Sequence, residues 1–322
     1  MALTIPDYQN PILAVDAPDP GCIAYNNSFF CAHTGQNDEG LFPTYSSDDL
    51  VSWKYEGAAI TELSASDSWG VDRWWAPEIH ALPGGRGFLL YHTAATAEGN
   101  LCVGSATSDL VTGPFVPSTR PLLCNNDDEN PSVGLIDSTF FVDDGTPYLI
   151  YKVDGNSNGS PTNINLAELT EDGLYVKDED TNTHTTLITN DVDWEKNCVE
   201  GPWIFDGREV SDYLFLFYSG SMYNTVDYSV GVARSKSVQG PWEKFGNNPI
   251  LHTNSSSSAF SGPGHCSVLH SNDKTGELAM LYHAHIGYEE PVINSPRQML
   301  LDFLTISEEG WPTMNNEGVP SE

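Results

Sequence analysis

The sequence predicts an all-β chain folded as a five-bladed β-propeller, with four-stranded antiparallel blades around a central channel. Three observations predict it. Short aromatic and β-branched runs stand between clusters of Gly, Pro, Asn and Asp, while stretches of helical period are hard to find. The element VGSATSDLVTGPF, from Val103, returns as VGVARSKSVQGPW from Val230, a distance that divides into two units of about 63 residues. Five polar segments, marked by Asp19, Trp75, Asp137, Glu200 and His265, follow one another at intervals of 56 to 65 residues.

Each unit can be followed along the chain. The first opens on APDPG, with Asp19, and continues into the apolar run SFFCAHT from Ser28. FPTYSSDDLVSW, from Phe42, is a looser copy of the repeated element. The second unit opens on WWAPE, with Trp75, and continues into GFLLYHT from Gly87. GLIDS, with Asp137, leads into PYLIYKV from Pro147, and CVEGPW, with Glu200, leads into YLFLFYS from Tyr213. The fifth unit pairs SGPGHCS, with His265, and LAMLYHA from Leu278. The apolar runs are nearly continuous, which is the pattern of strands buried on both faces. The rival architecture, two β-sandwich domains, requires a linker or a shift in composition, and neither is visible. Residues 1–322 are therefore expected to form one propeller domain.

Composition bounds the partners. The 322 residues carry 45 Asp and Glu against 13 Lys and Arg, a formal net charge of −32, with an isoelectric point near 4.2. Such a chain repels phosphate backbones and anionic membrane surfaces, so nucleic acid and membrane are excluded as partners and a neutral substrate suits it. No apolar run reaches the 18 residues of a membrane helix. MALTIPDYQNPIL lacks the basic and apolar regions of a signal peptide. Two readings follow, a cytoplasmic protein or a secreted one whose signal has been removed. Asn-x-Ser sequons at Asn26, Asn158 and Asn254 lean toward secretion, and a monomer is expected. Cys22, Cys31, Cys102, Cys124, Cys198 and Cys266 show no zinc-site spacing, which leaves disulfides and buried free thiols both open.

In a propeller the leading ends of the innermost strands surround one mouth of the channel. Residues some sixty positions apart then converge, and here they include Asp19, Asp137 and Glu200. Three carboxylates around one axis repel one another and lose solvation, which drives their pKa values apart. Structure gains nothing from that arrangement. Acid–base hydrolysis does, because it needs one carboxyl protonated and another ionised.

The order and spacing of APDPG, WAPE, IDSTFFVDDGTPYLIYK, VEGPW and the GPGH element resemble glycoside hydrolase family 43 over essentially the whole chain. The resemblance implies a five-bladed propeller and an inverting glycosidase acting on arabinan or xylan. It places the general base on Asp19, the general acid on Glu200, and on Asp137 the third carboxylate, which tunes and orients the acid. The family often reads Asp-Pro at the third position, whereas this chain has Asp137-Ser138. It also implies sugar contact by Trp75, an arginine reaching the site at Arg297, and His33 near the mouth. His265 would help to hold a structural calcium in the central channel through waters; no cofactor is required for the chemistry.

Several residues compete with these. Asp16 lies three positions ahead of Asp19 and rivals it as base, but pattern position favours Asp19. Asp143 and Asp144 precede Gly145 and read as turn residues. Trp74 points away from Trp75 on a strand. His283 and His285 share a strand face without a third ligand at zinc spacing. Gly155–Gly159 matches G-x-S-x-G, yet Pro161 follows instead of a helix, so it reads as a turn. Asp178–Asn182 starts like a calcium loop but has Thr183 where glycine is required. The expectation is an exo-acting α-L-arabinofuranosidase on plant cell-wall polysaccharide. β-D-Xylosidase and endo-α-1,5-L-arabinanase are the rivals within the family, and a carbohydrate-binding propeller without catalysis is the rival outside it. The family's xylosidases commonly carry a further C-terminal β-sandwich, and the sequence stops soon after the fifth unit.

Overall fold

The computed structural model describes residues 6–62, 68–125, 132–257, 259–271, 277–287 and 295–322. Five antiparallel sheets follow one another along the chain. Blade 1 is built from Gly21–Tyr25, Ser28–Ala32, Gly40–Ser47 and Lys54–Thr61, with a short extra strand, Gln36–Asn37. The innermost strands of blades 2 to 5 are Asp72–Ala81, Gly134–Asp143, Val199–Asp206 and Phe260–His270. Each inner strand touches the next and the first touches the last, so the sheets close into a ring, a five-bladed β-propeller.

The apolar runs are the second strands of the blades. Phe88–Ala95 and Leu214–Gly220 are buried at every residue, because neighbouring blades cover both faces. Each of blades 2 to 5 places a fully buried tyrosine here: Tyr91, Tyr151, Tyr218 and Tyr282. A buried phenol needs a partner. The four hydroxyls find the Gly173 carbonyl, His184 Nδ1, Glu195 and Asp302 respectively. The two close copies of the repeated element are the third strands of blades 2 and 4, with Val103 bridged to Leu123 and Val230 to Leu251. The hairpin between Gly134–Asp143 and Thr146–Asp154 turns on Asp144 and Gly145 at φ 46° and 81°, which is turn chemistry as expected.

The N-terminal segment closes the ring from outside. Ile12 N–H donates to the Met299 carbonyl at 3.0 Å and Ala17 N–H to that of Arg297 at 2.7 Å. Buried Asn10 makes a two-way pair with the Leu301 backbone, its Nδ2 donating to the carbonyl and its Oδ1 accepting from the N–H, both at 2.9 Å. Disulfides join Cys22 to Cys31 across the first two strands of blade 1, and Cys102 to Cys124 in blade 2. Cys198 and Cys266 are free and buried, so both readings of the cysteines apply, to different residues.

Asn10→Ala removes the acceptor of the Leu301 N–H, while the Leu301 carbonyl keeps the Tyr8 hydroxyl at 3.0 Å, and is expected to cost roughly 1–3 kcal/mol for the buried N–H left unpaired. Thermal unfolding would show the loss as a lower Tm, with KM for substrate unchanged, since Asn10 lies outside the channel mouth.

Candidate active site

One backbone device recurs at the mouth of every inner strand. Asp19, Ala76, Asp137, Gly201 and His265 adopt φ of 56°, 46°, 51°, 55° and 49°. These values fall in the left-handed region that L-residues seldom occupy. In blades 2 to 5 the ladder breaks at the same place, as a β-bulge. The bulge turns these peptides out of their own sheet, and their N–H groups reach a side chain of the preceding blade. Ala76 donates to Thr34 Oγ1 at 2.7 Å, Asp137 to Thr93 Oγ1 at 3.2 Å, His265 to Ser219 Oγ at 2.8 Å and Asp19 to His283 Nδ1 at 3.0 Å.

This corrects the alignment of the polar segments. Trp75 and Glu200 sit one residue ahead of the left-handed position, which Ala76 and Gly201 occupy. Glutamate gains no local hydrogen bond in that conformation, whereas glycine adopts it freely. Glu200 thus lies on the regular strand, opposite Ser219.

A cavity of about 280 Å³ opens at this mouth, lined by Asp19, Trp75, Asp137, Glu200, His265 and Arg297 together with Thr34, Ile136, Lys152, Asp154, Asn156, Met222 and Tyr223. Arg297 Nη1 donates to Asp19 Oδ1 at 3.0 Å, and its guanidinium lies 4.9 Å from the Tyr223 ring centroid. Exposed Asp16 accepts from the Arg297 backbone N–H at 2.9 Å, so it holds the arginine's strand and leaves the mouth to Asp19. Trp74 packs on Phe42 and His92, away from the cavity.

His33 lies near the mouth, beside Asp19, without lining the cavity. It is buried against Tyr45, with Nδ1 on the Thr34 carbonyl, and the cavity is lined by its neighbour Thr34. Successive side chains alternate sides, so only one of the two can face the mouth.

The acids are held differently. Burial opposes the Asp19 anion, but Arg297, His265 and the Thr34 hydroxyl together keep its carboxyl below the ordinary aspartate value. His283 accepts the Asp19 N–H through Nδ1, and burial holds it neutral, so its 3.4 Å approach to the Asp19 carboxylate is no ion pair. Glu200 is gripped at both oxygens: Oε2 by Lys152 Nζ at 2.8 Å and Cys198 Sγ at 3.1 Å, Oε1 by the Tyr228 hydroxyl at 2.8 Å. Burial resists its ionisation, yet Lys152 and these donors prevail and keep it below the ordinary glutamate value. Asp137 has one backbone donor, Gly201 N–H at 3.1 Å. Burial, with the Glu200 charge adding to it, pushes Asp137 up to about 7. Asp137 and Glu200 therefore share a proton near neutral pH, and in the free protein Asp137 holds it.

The calcium expectation meets a poor donor set. His265 Nδ1 stands 3.6 Å from Asp19 Oδ1, and among the described residues no three His, Cys, Asp or Glu side chains converge as metal ligands.

Lys152, Asp154, Asn156, Cys198 and Tyr228 belong to the site without being marked by the period of the sequence. The first was in view as the end of PYLIYKV, where the other blades place a hydroxyl or an imidazole. Asn156 belongs to the dismissed G-x-S-x-G, which is indeed a turn, Gly155–Ser157, yet one that sends a side chain into the cavity. The profile described as glycosyl hydrolases family 43 matches residues 8–312.

The chain belongs to glycosyl hydrolase family 43.

Its relatives within reach of family 43 have several specificities. An extracellular endo-alpha-(1->5)-L-arabinanase 2 of Bacillus subtilis is 21% identical over 97% of this chain and 74% of its own length. A xylan 1,3-beta-xylosidase of a Vibrio species is 27% identical, over 76% and 43%. A non-reducing end alpha-L-arabinofuranosidase of Bacteroides ovatus is 24% identical, over 98% and 55%. This chain thus spans about half of the latter two. Among solved structures, a thermostable family-43 glycoside hydrolase superposes with a TM-score of 0.81 at 28% identity, over 96% of both chains.

Asp137→Asn is expected to stabilise the protein at alkaline pH. The folded-state pKa of Asp137, about 7 against an ordinary 3.8, means that the folded protein binds the extra proton, so wild-type stability falls as pH rises through that window. An amide keeps an acceptor for the Gly201 N–H and has no proton to lose. The Tm difference between variant and wild type should be near zero at pH 4 and grow to several degrees above pH 7.

Proposed function

We propose that this family-43 chain is an inverting, exo-acting α-L-arabinofuranosidase that releases arabinose from arabinan- or arabinoxylan-type polysaccharides and oligosaccharides. One observation carries the reading: of the four buried carboxyls that line one cavity, Asp19 and Glu200 are held as anions and Asp137 keeps its proton to about pH 7. Asp19, held ionised by Arg297, takes a proton from water, and the hydroxide oxygen attacks the anomeric carbon. The bond from that carbon to the leaving oxygen breaks, and Glu200 gives that oxygen its proton from the other face of the sugar. The reacting form has the shared proton on Glu200. Asp137, then ionised, is supported by the Gly201 N–H and by His265, so the two carboxyls exchange roles without a net charge change.

A cavity of about 280 Å³ suits a terminal sugar better than the middle of a polymer, since it falls just below the ~300 Å³ at which ligand pockets usually begin. Half-buried Trp75 offers a ring face to that sugar. The Bacteroides relative supports arabinose, and the Vibrio relative supports β-D-xylosidase as the second reading. Two disulfides fit an oxidising compartment, and the Bacillus relative is named extracellular, which together support secretion. The three carboxyls and water suffice for the chemistry; a calcium in the channel would serve structure, through waters at His265.

Purified protein should cleave nitrophenyl α-L-arabinofuranoside with a higher kcat/KM than the β-D-xyloside, and ¹H NMR should show the inverted anomer first. Glu200→Gln and Asp19→Asn should each lower kcat/KM by about 10²–10⁴-fold. Turnover of neither glycoside, or full activity of Glu200→Gln, would remove this reading.

Arg297→Gln provides a check through pH. Arg297 lowers the Asp19 pKa, so its removal should move the acid limb of kcat/KM to higher pH. An unmoved acid limb would separate Asp19 from the base.

A further inference from the structure

The bond pattern between blades is broken at one junction. Thr34, Thr93, Ser219 and His283 each accept the left-handed N–H of the following blade. In the register of the sheets, Lys152 opposes Ile136 as Thr93 opposes Trp75, Ser219 opposes Glu200 and His283 opposes Gly264. Lysine has no acceptor. The Gly201 N–H, which this position would otherwise receive, goes to Asp137 Oδ2 instead. A buried cation has thus replaced a structural acceptor at the junction that carries Glu200. A departure from a local rule that brings no structural gain points to function.

Lys152 is 1% exposed and lies between two carboxylates, Glu200 Oε2 at 2.8 Å and Asp154 Oδ1 at 2.7 Å. Asp154 is two residues on in the same strand and lines the cavity, so the lysine is tied from behind and in front. The other groups facing Glu200 are the neutral donors Cys198 and Tyr228, and, charged or titratable, Asp137, Asp19 and His265 across the mouth. Tyr228 is seated by Gly264, where a Cβ would come within 2.1 Å of the ring. Lys152 is therefore the cation in direct contact with the Glu200 carboxylate, and Asp154 divides its charge.

We propose that Lys152, ion-paired to both Glu200 and Asp154, is a positioning residue that aims the Glu200 carboxyl into the cavity and governs the pH at which it gives up its proton. The proposal rests on the reading of Glu200 as general acid. With the lysine present, Glu200 releases its proton readily, which keeps it from remaining an inert buried acid. Asp154 moderates the effect, because its own 2.7 Å contact with Nζ takes up part of the charge that Glu200 would otherwise have. A sugar hydroxyl donated to Asp154 would loosen its hold on Lys152, linking occupancy of the cavity to the state of the acid.

The test has three variants and two readouts. Lys152→Met removes the charge, Lys152→Arg keeps it, and Asp154→Asn concentrates it on Glu200. The first readout is the basic limb of kcat/KM. The second is the carboxyl titration of Glu200, followed by ¹³C NMR on protein labelled at Glu Cδ and assigned by its loss in Glu200→Gln. In Lys152→Met both should move up by about 1–3 pH units, the effect of an opposite charge at this range. Both should stay in place in Lys152→Arg and move down in Asp154→Asn. A lysine that merely supports the fold would lower Tm and kcat and leave both readouts unmoved, and that result in a folded Lys152→Met protein overturns the proposal. If Lys152→Met does not fold, an upward or absent shift of the Glu200 titration in Asp154→Asn overturns it instead. If the NMR titration moves as stated while the basic limb does not follow, the proposal stands and the assignment of Glu200 as the acid falls.

Discussion

The left-handed residue at the mouth of each inner strand is the constraint from which the rest of the site follows. Its conformation costs about 1–3 kcal/mol at a non-glycine position and persists only where the surroundings demand it. Here the demand comes from the neighbouring blade, whose side chain takes the N–H that the bulge has turned out of its own sheet. The same hydrogen bond therefore fixes the angle between blades and the direction of the side chain at the bulge. Asp19, Asp137 and His265 are aimed by it. Assembly of the ring and assembly of the site are in this sense one event.

Electrostatics then divides the labour among acids that the ring makes nearly equivalent. Asp19 and Glu200 each have a cation in contact, Arg297 and Lys152, while Asp137 has a backbone N–H. An opposite charge in a poorly solvated setting outweighs the burial penalty, and a single N–H does not. The outcome is two anions and one carboxyl that keeps its proton to about pH 7. Arg297 is itself aligned by Asp16 through its backbone and by the Tyr223 ring through its guanidinium.

The period of the fold was legible in the sequence because each blade repeats a polar opening and an apolar second strand at nearly constant spacing. Asp19, Trp75, Asp137, Glu200 and His265 could be gathered from that period, and Arg297 from the family resemblance. What the period does not carry is a shift of one residue. Glu200 and Gly201 are adjacent, and only the bulge says which of them is equivalent to Asp137. His33 and Thr34 pose the same problem, since a one-residue offset exchanges the side chain in the cavity for the one behind it. Lys152 was hidden for a different reason: its meaning is a departure from a hydrogen-bond rule that becomes visible only when the strands are in register. The pairing of Cys22 with Cys31 and Cys102 with Cys124, and the freedom of Cys198 and Cys266, rest likewise on proximity that spacing does not encode.

A ring of five similar blades has to become asymmetric before it can act on a sugar, which has two different faces at its reacting carbon. This chain does so with two adjacent registers. The left-handed register reads Asp19, Ala76, Asp137, Gly201 and His265, acids on two blades and minimal side chains on two others. Gly201 leaves room for the His265 ring, which a Cβ would approach to 3.1 Å. The register one residue ahead supplies the aromatic Trp75, the apolar Ile136 and the acid Glu200, and at Gly264 the gap that admits Tyr228. A side chain at the bulge is locked by the neighbouring blade, whereas one ahead of it stays on a regular strand and is held by contacts of its own. Asp19 thus occupies the rigid register. The glutamate occupies the register in which a lysine, a phenol and a thiol can be arranged around it without disturbing the ring.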